Sequence, residues 1–291
     1  NNLANGRGAG LYKDDADDVE ITDSKFIGNV ATSGGGAIYS YQGRNLRITN
    51  SEFINNQANI ASAIYFEKGE QSVLINSVFS KNTGGQVIFD YENVDLTVTN
   101  CLMYDNENRA LWSFGSSNTQ ITNCTFYNNA LTLDVSSQSS DSSFSLTNTI
   151  INQASTGASD MIFDGSYGNT MTVSHSNINI SLPSGVIETT TANNNITNID
   201  ENPRFVDPDG TDNILGNSDD DFRLQPTSSS IDRGVNVSGL FSDIRGSIRP
   251  VGGDEFLTEA RFDIGAYEFS EFFGDTDGGG IAKSFQNLSI N

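Results

Sequence analysis

Apolar and polar positions alternate in short runs along the first two-thirds of the chain, and one six-residue phrase occurs seven times. It runs Ile21 to Phe26, Ile48 to Phe53, Leu74 to Phe79, Val98 to Met103, Ile121 to Phe126, Leu146 to Ile151 and Val173 to Ile178, at intervals of 27, 26, 24, 23, 25 and 27 residues. A period of this size marks a solenoid. β-Branched and aromatic residues fill the runs, and Gly, Asn, Asp and Ser break them, which is strand-and-turn chemistry. No window sustains a 3.6-residue apolar period, and the leucine-rich pattern is missing, so helical and leucine-rich solenoids are set aside. A lap of about 25 residues with about three short strands predicts an all-β, right-handed parallel β-helix, its coils pairing at about 4.8 Å.

The phrase also predicts which residues stack. Its first residue (Ile21, Ile48, Leu74, Val98, Ile121, Leu146, Val173) and its last (Phe26, Phe53, Phe79, Met103, Phe126, Ile151) are expected to point inward. The third position holds Asp23, Asn50, Asn76, Asn100, Asn123, Asn148 and His175. It is expected at a bend, where Asn tolerates left-handed backbone and its amide bonds its neighbours above and below. A second pair recurs later in each lap: Leu11-Tyr12, Ile38-Tyr39, Ile64-Tyr65, Ile88-Phe89, Leu111-Trp112 and Ile162-Phe163. Alternation puts its two members on opposite faces. With the aliphatic residue inside, Tyr12, Tyr39, Tyr65, Phe89 and Trp112 form an exposed strip suited to a polysaccharide; the opposite orientation makes them core. Cys101 and Cys124 share the small-residue slot of Ser24, Ser51 and Ser77 in adjacent coils, and are expected as free thiols, although the slot also lies within disulfide reach.

The repeat predicts three regions: coils over 1–198, a C-terminal cap over 199–270 lying on the last coil, and a tail or linker over 271–291. Ser136–Ser143 reads as a solvated bulge. The first residues match the middle of a coil, with Asn1-Asn2-Leu3-Ala4 resembling Asn29-Val30-Ala31. This carries the expectation of a mature fragment, and of strand edges able to stack head-to-tail on another copy. Lys and Arg number 15 against 37 Asp and Glu, a net charge of −22. That argues against nucleic acid and anionic membrane as partners. No apolar run is long enough to span a bilayer.

Two resemblances follow from particular motifs. Phe26-Ile27-Gly28-Asn29 and Gly35-Gly36-Ala37-Ile38 resemble repeats of polymorphic outer-membrane proteins. The C-terminal series is more specific: Asn202-Pro203-Arg204-Phe205-Val206-Asp207-Pro208, Asp221 to Pro226, Ser230-Ile231-Asp232-Arg233-Gly234, Asp243-Ile244-Arg245-Gly246 and Asp263-Ile264-Gly265-Ala266-Tyr267-Glu268. It is similar to the choice-of-anchor Q proteins, secreted right-handed β-helices of the pectate-lyase-like superfamily. Ser229-Ser230 stands where that family has Ser-Pro. The resemblance implies export and attachment to a cell surface, and no single activity.

The densest oxygen-donor stretch is Asp207 to Asp221, with Asp207, Asp209, Asp212, Asp219, Asp220 and Asp221 as candidate calcium ligands and a solvated acidic turn as the alternative. Asp275-Thr276-Asp277-Gly278 and the Asp14–Asp18 turn are weaker candidates. Catalytic equipment is sparse. A lyase needs a Lys or Arg base, and Lys13, Arg44, Lys68 and Arg109 are scattered among the coils. The one histidine, His175, occupies the Asn slot and reads as structural. Arg204, Arg223, Arg233, Arg245 and Arg249 alternate with Asp and are expected to pin the cap through ion pairs. The expected function is a secreted or surface-displayed structural or adhesive module, calcium-stabilised and holding an extracellular polysaccharide or cell-surface glycan. The alternatives are a polysaccharide lyase, or another carbohydrate-active enzyme, and a self-stacking subunit.

Overall fold

The computed structural model describes residues 1–92, 95–115, 117–136, 142–152, 161–189, 197–250 and 260–270. Successive laps add strands to four parallel sheets, three of them running the length of the described coils and sheet I along the first four laps only. Sheet I holds Leu3–Ala4, Val30–Gly34, Gln57–Ile60 and Thr83–Gly84. Sheet II holds Leu11–Asp14, Ile38–Tyr41, Ile64–Glu67, Ile88–Tyr91, Arg109–Phe114, Leu131–Val135 and Met161–Phe163. Sheet III has eight strands, from Glu20–Thr22 to Ile187–Glu188, and sheet IV has seven, from Lys25–Ile27 to Asn177–Ile178. Register follows the sequence repeat: Ile48 pairs with Leu74, Leu74 with Val98, Phe53 with Phe79, and Tyr39 with Tyr65. The molecule is therefore a parallel β-helix, as the period predicts.

The predicted inward columns are inside. Ile48, Leu74, Val98, Ile121, Phe53, Phe79 and Phe126 are buried in one continuous core. Phe26, Phe53 and Phe79 stack nearly coplanar-faced, with centroids 5.0 and 4.7 Å apart. The outer Asn column also forms. Asp23, Asn50, Asn76, Asn100, Asn123, Asn148 and His175 all have φ between 47° and 52°, the left-handed bend that this slot requires. Asn76 donates to Asn50, Asn100 to Asn76 and Asn148 to Asn123, at 3.1–3.2 Å. Cys101 and Cys124 are free and buried. Their thiols replace the serine hydroxyls of the column: Ser51 N donates to Ser77 Oγ, and Cys101 N to Cys124 Sγ at 3.4 Å.

A second asparagine column lies inside the wall. Asn29, Asn56, Asn82, Asn106 and Asn129 each follow a core Phe or Met by three residues and are buried. Each Oδ1 from Asn56 onward accepts both the backbone N and the Nδ2 of the Asn one coil before. Each Nδ2 from Asn56 onward also donates to the carbonyl of that Phe or Met one coil before, as Asn82 does to Phe53 O at 2.9 Å. This column satisfies the backbone at the bend from sheet IV to sheet I.

Residues after Ile199 correct the expected position of the cap. Ile199 bridges to Asn177 in the last coil, and the chain then turns back along the outer flank of sheet IV. Its hairpin, Phe205–Asp207 paired antiparallel with Asp221–Leu224, packs Phe205, Phe222 and Leu224 against Leu102, Tyr104 and Ile150. Further on, Asn148 Nδ2 donates to Val235 O, Asn123 Nδ2 to Asp263 O, and Asn100 Nδ2 to Ser242 O. The segment is a strap over the flank rather than a lid over the last coil. The flank offers what a strap needs: outward Leu102, Tyr104, Tyr127 and Ile150, and a row of amide donors with bonding capacity to spare.

Candidate functional site

The outward face of sheet II carries the predicted aromatic ladder. Alternation places Ile38, Ile64, Ile88 and Leu111 in the core and turns Tyr39, Tyr65, Phe89 and Trp112 outward. Consecutive ring centroids from Tyr12 to Trp112 are 5.2, 5.0, 5.0 and 4.7 Å apart. The strip is less open than alternation alone implies. Tyr12 is 49% exposed, Tyr65 and Trp112 are half-buried, but Tyr39 and Phe89 are only 0% and 7% exposed. The expectation of an exposed Tyr39 and Phe89 is thus corrected. Outward rings one coil apart cover each other, and Arg7 lies over the Tyr39 ring at 4.6 Å. Tyr12–Tyr39 and Phe89–Trp112 are stacked, so they present mainly edges and polar rims to solvent, whereas Tyr65 stands at 85° to Tyr39. Gly34 makes room for that turn, since a Cβ there would come within 2.8 Å of Tyr65 Cδ1.

The same alternation, carried two residues further, gives a column the sequence reading missed. Tyr41, Glu67, Tyr91 and Phe114 are in register one after another and all face out. Tyr91 and Phe114 stack at 5.8 Å, and cross-links to Phe89 and Trp112 at 5.7 and 5.6 Å join the two columns. Together they make an aromatic wall over five successive coils.

Charged groups border this wall in pairs. The Tyr39 hydroxyl donates to Glu67 and accepts from Arg7. Burial, reinforced by Glu67, pushes the Tyr39 and Tyr65 phenols well above their ordinary value, so both stay neutral. Asp134 takes the place of an aromatic in the coil after Trp112. Its Oδ2 accepts from Arg109 Nε at 2.7 Å, and burial raises its carboxyl pKa despite that cation. The Arg109 guanidinium lies 5.2 Å from the Trp112 ring centre, and Trp112 Nε1 donates to Ser136.

Other sequence-predicted residues lie elsewhere. Lys13 points inward and donates to Gln42 O at 2.6 Å, with burial lowering its pKa. Arg44 pairs with Glu70, and Lys68 with Glu92. His175 keeps the Asn slot, and burial with Arg261 nearby lowers its pKa. In the acidic hairpin loop, Asp212 accepts from Ile214 N and Asn217, and Asp219 from Thr211 N and Oγ1. Asp220 accepts from Gly216 N and Asn217 N, and Asp221 from Arg223. Asp207 and Asp209 face one another, which helps burial raise the pKa of Asp207. Asp212, Asp219 and Asp221 thus accept from the hairpin's own donors, as does one oxygen of Asp220, and among the described residues no three His, Cys, Asp or Glu side chains converge as a metal site. Asp275–Gly278, the tail over 271–291 and most of the Ser-rich bulge lie outside the described residues.

A family model described as "Right handed beta helix region" matches residues 7–202, which is more than half of the chain. The chain belongs to the right-handed β-helix family. No curated protein matches this β-helix. The matched region contains the whole aromatic wall and ends close to where the strap leaves the coils.

Proposed function

We propose that this β-helix is a non-catalytic, surface-displayed module that holds a polysaccharide along the outer wall of sheet II. The observation that carries the reading is the aromatic column over five coils, flanked by Tyr41, Tyr91 and Phe114 and lying outside a core already filled by its own apolar columns. Burying aromatic surface is worth roughly 25 cal/mol per Å². Exposed Tyr12 and the half-buried rings of Tyr41, Tyr65, Tyr91, Trp112 and Phe114 leave an aromatic strip at the surface that a ligand can cover. Ring edges, phenol hydroxyls and flanking carboxylates suit a hydroxyl-rich chain lying along the solenoid axis. Display at the cell surface rests on the resemblance carried by the strap motifs from Asn202 to Glu268.

The lyase alternative draws less from the same wall. Its bordering cations are held by carboxylates, and Tyr39 and Tyr65 resist the deprotonation that a general base requires. Incubation with soluble polysaccharides separates the two readings. Retention without new ultraviolet-absorbing unsaturated ends is expected, and Trp112→Ala or Tyr91→Ala lowers affinity about tenfold. Accumulation of unsaturated product would replace the module with a lyase.

A further inference from the structure

Resting on that reading, we infer that the polymer held by the wall is neutral and extended, not a uronate-rich polyanion. Recognition of carboxylated chains calls for cations free to form charge-assisted bonds. Among the described residues, each cation that borders the wall lies within 4.0 Å of a carboxylate. Arg7 lies 3.7 Å from Glu67, Lys68 3.9 Å from Glu92, and Arg109 2.7 Å from Asp134. Arg44, at the adjoining bend, pairs with Glu70 at 3.0 Å. Lys13 turns its ammonium into the coil and away from the face. Asp14 adds an exposed carboxylate on the same side of the sheet. The wall is therefore balanced or slightly negative, within a chain of net charge −22. A polyanion approaching it meets repulsion without a compensating site. A neutral chain loses nothing, and its hydroxyls can donate to Glu67, Glu92 and Asp14 and bond the tyrosine rims.

The spacing of the wall defines the shape of the chain. First-column rings recur every 4.7–5.2 Å along the solenoid axis, one per coil from Tyr12 to Trp112. An extended glycan with equatorial linkages advances by nearly the same step per sugar. One sugar per coil gives a footprint of about five sugars on the five coils that carry aromatics.

Affinity electrophoresis tests this with the full chain in gels containing soluble mixed-linkage β-glucan, xylan, polygalacturonate or alginate, each at low and high salt. The expected result is retardation by a neutral polymer, unchanged by salt, with little or none by the two polyanions. Neutral oligosaccharides of increasing length then compete, with affinity levelling off near five units. Retardation by polygalacturonate or alginate alone, relieved by salt as screening predicts, overturns the neutral assignment and leaves the module intact. Retardation by none of the four overturns the module reading itself.

Discussion

Two asparagine columns run up the same solenoid, and they do different work. Asn76 sits at a rim bend with φ of 50°, trading single amide bonds with Asn50 and Asn100. Asn82 is fully buried; its Oδ1 receives two bonds from Asn56, and its Nδ2 serves Phe53 O and Asn106. Replacing Asn76 with Gly keeps the left-handed bend and removes two amide bonds, one exposed and one part-buried, so stability falls by about 1 kcal/mol. Asn82→Ala strips partners from a buried carbonyl and a buried amide at once, and costs about 3 kcal/mol or more. Urea unfolding of the two variants checks the contrast, and equal losses would contradict it. The rim column was legible in the sequence because it occupies a fixed slot of the repeated phrase. The buried column was equally periodic in Phe26-x-x-Asn29 and its successors. It escaped because a polar residue reads as surface until the hydrogen bonds that bury it are seen.

The strap shows where one-dimensional reading ends. Periodicity reports neighbours one coil away, but the strap meets residues about 140 positions earlier, as Asn123 meets Asp263. Its sequence announced a change of texture and its alternating Arg and Asp, yet not the surface it would cover. Of the arginines expected to pin it, Arg223 pairs with Asp221 across two residues. Arg249 forms the interior anchor: it is buried against Glu268 at 3.0 Å and donates to the carbonyls of Asp263 and Gly265. Asp263 is the sensitive member. Burial, with Asp232 adding repulsion, pushes its carboxyl up to about 7, against the pull of Arg249 and of the Asp232 and Phe269 N–H donors. A carboxyl whose folded pKa is raised favours the folded state below its unfolded value near 4 and loses that advantage as pH rises through 7. The strap should therefore hold more tightly at pH 5 than at pH 8. Protection factors of residues 260–270, corrected for the intrinsic pH dependence of amide exchange, measure this at the two values, and Asp263→Asn should flatten the difference. Weaker protection at the lower pH would refute the assignment.

At the scale of the molecule, the position of the strap changes what it contributes to stability. A cap over the last coil would protect one end, and its loss would fray the solenoid from there, since each coil contacts only its neighbours. A strap along the flank protects many coils at once. Phe205, Phe222, Leu224 and Ile264 pack with Leu102, Tyr104, Tyr127 and Ile150, which belong to three successive coils. Val235, Ser242 and Asp263 supply the carbonyls that occupy the outward amides of Asn148, Asn100 and Asn123. Ending the chain after residue 199 would leave those amides to water at little cost, because they lie at the rim. It would also expose one contiguous apolar band along sheet IV, and such bands drive association. The truncated β-helix is expected to keep its far-ultraviolet β signature, bind a hydrophobic dye strongly, and run as oligomers in size-exclusion chromatography at concentrations where the full chain does not. Polar substitution of Leu102 and Ile150 should restore the smaller species. If the truncated chain instead stays dispersed and loses β structure progressively from its last coils, the segment acts as an end cap and the flank contacts contribute little.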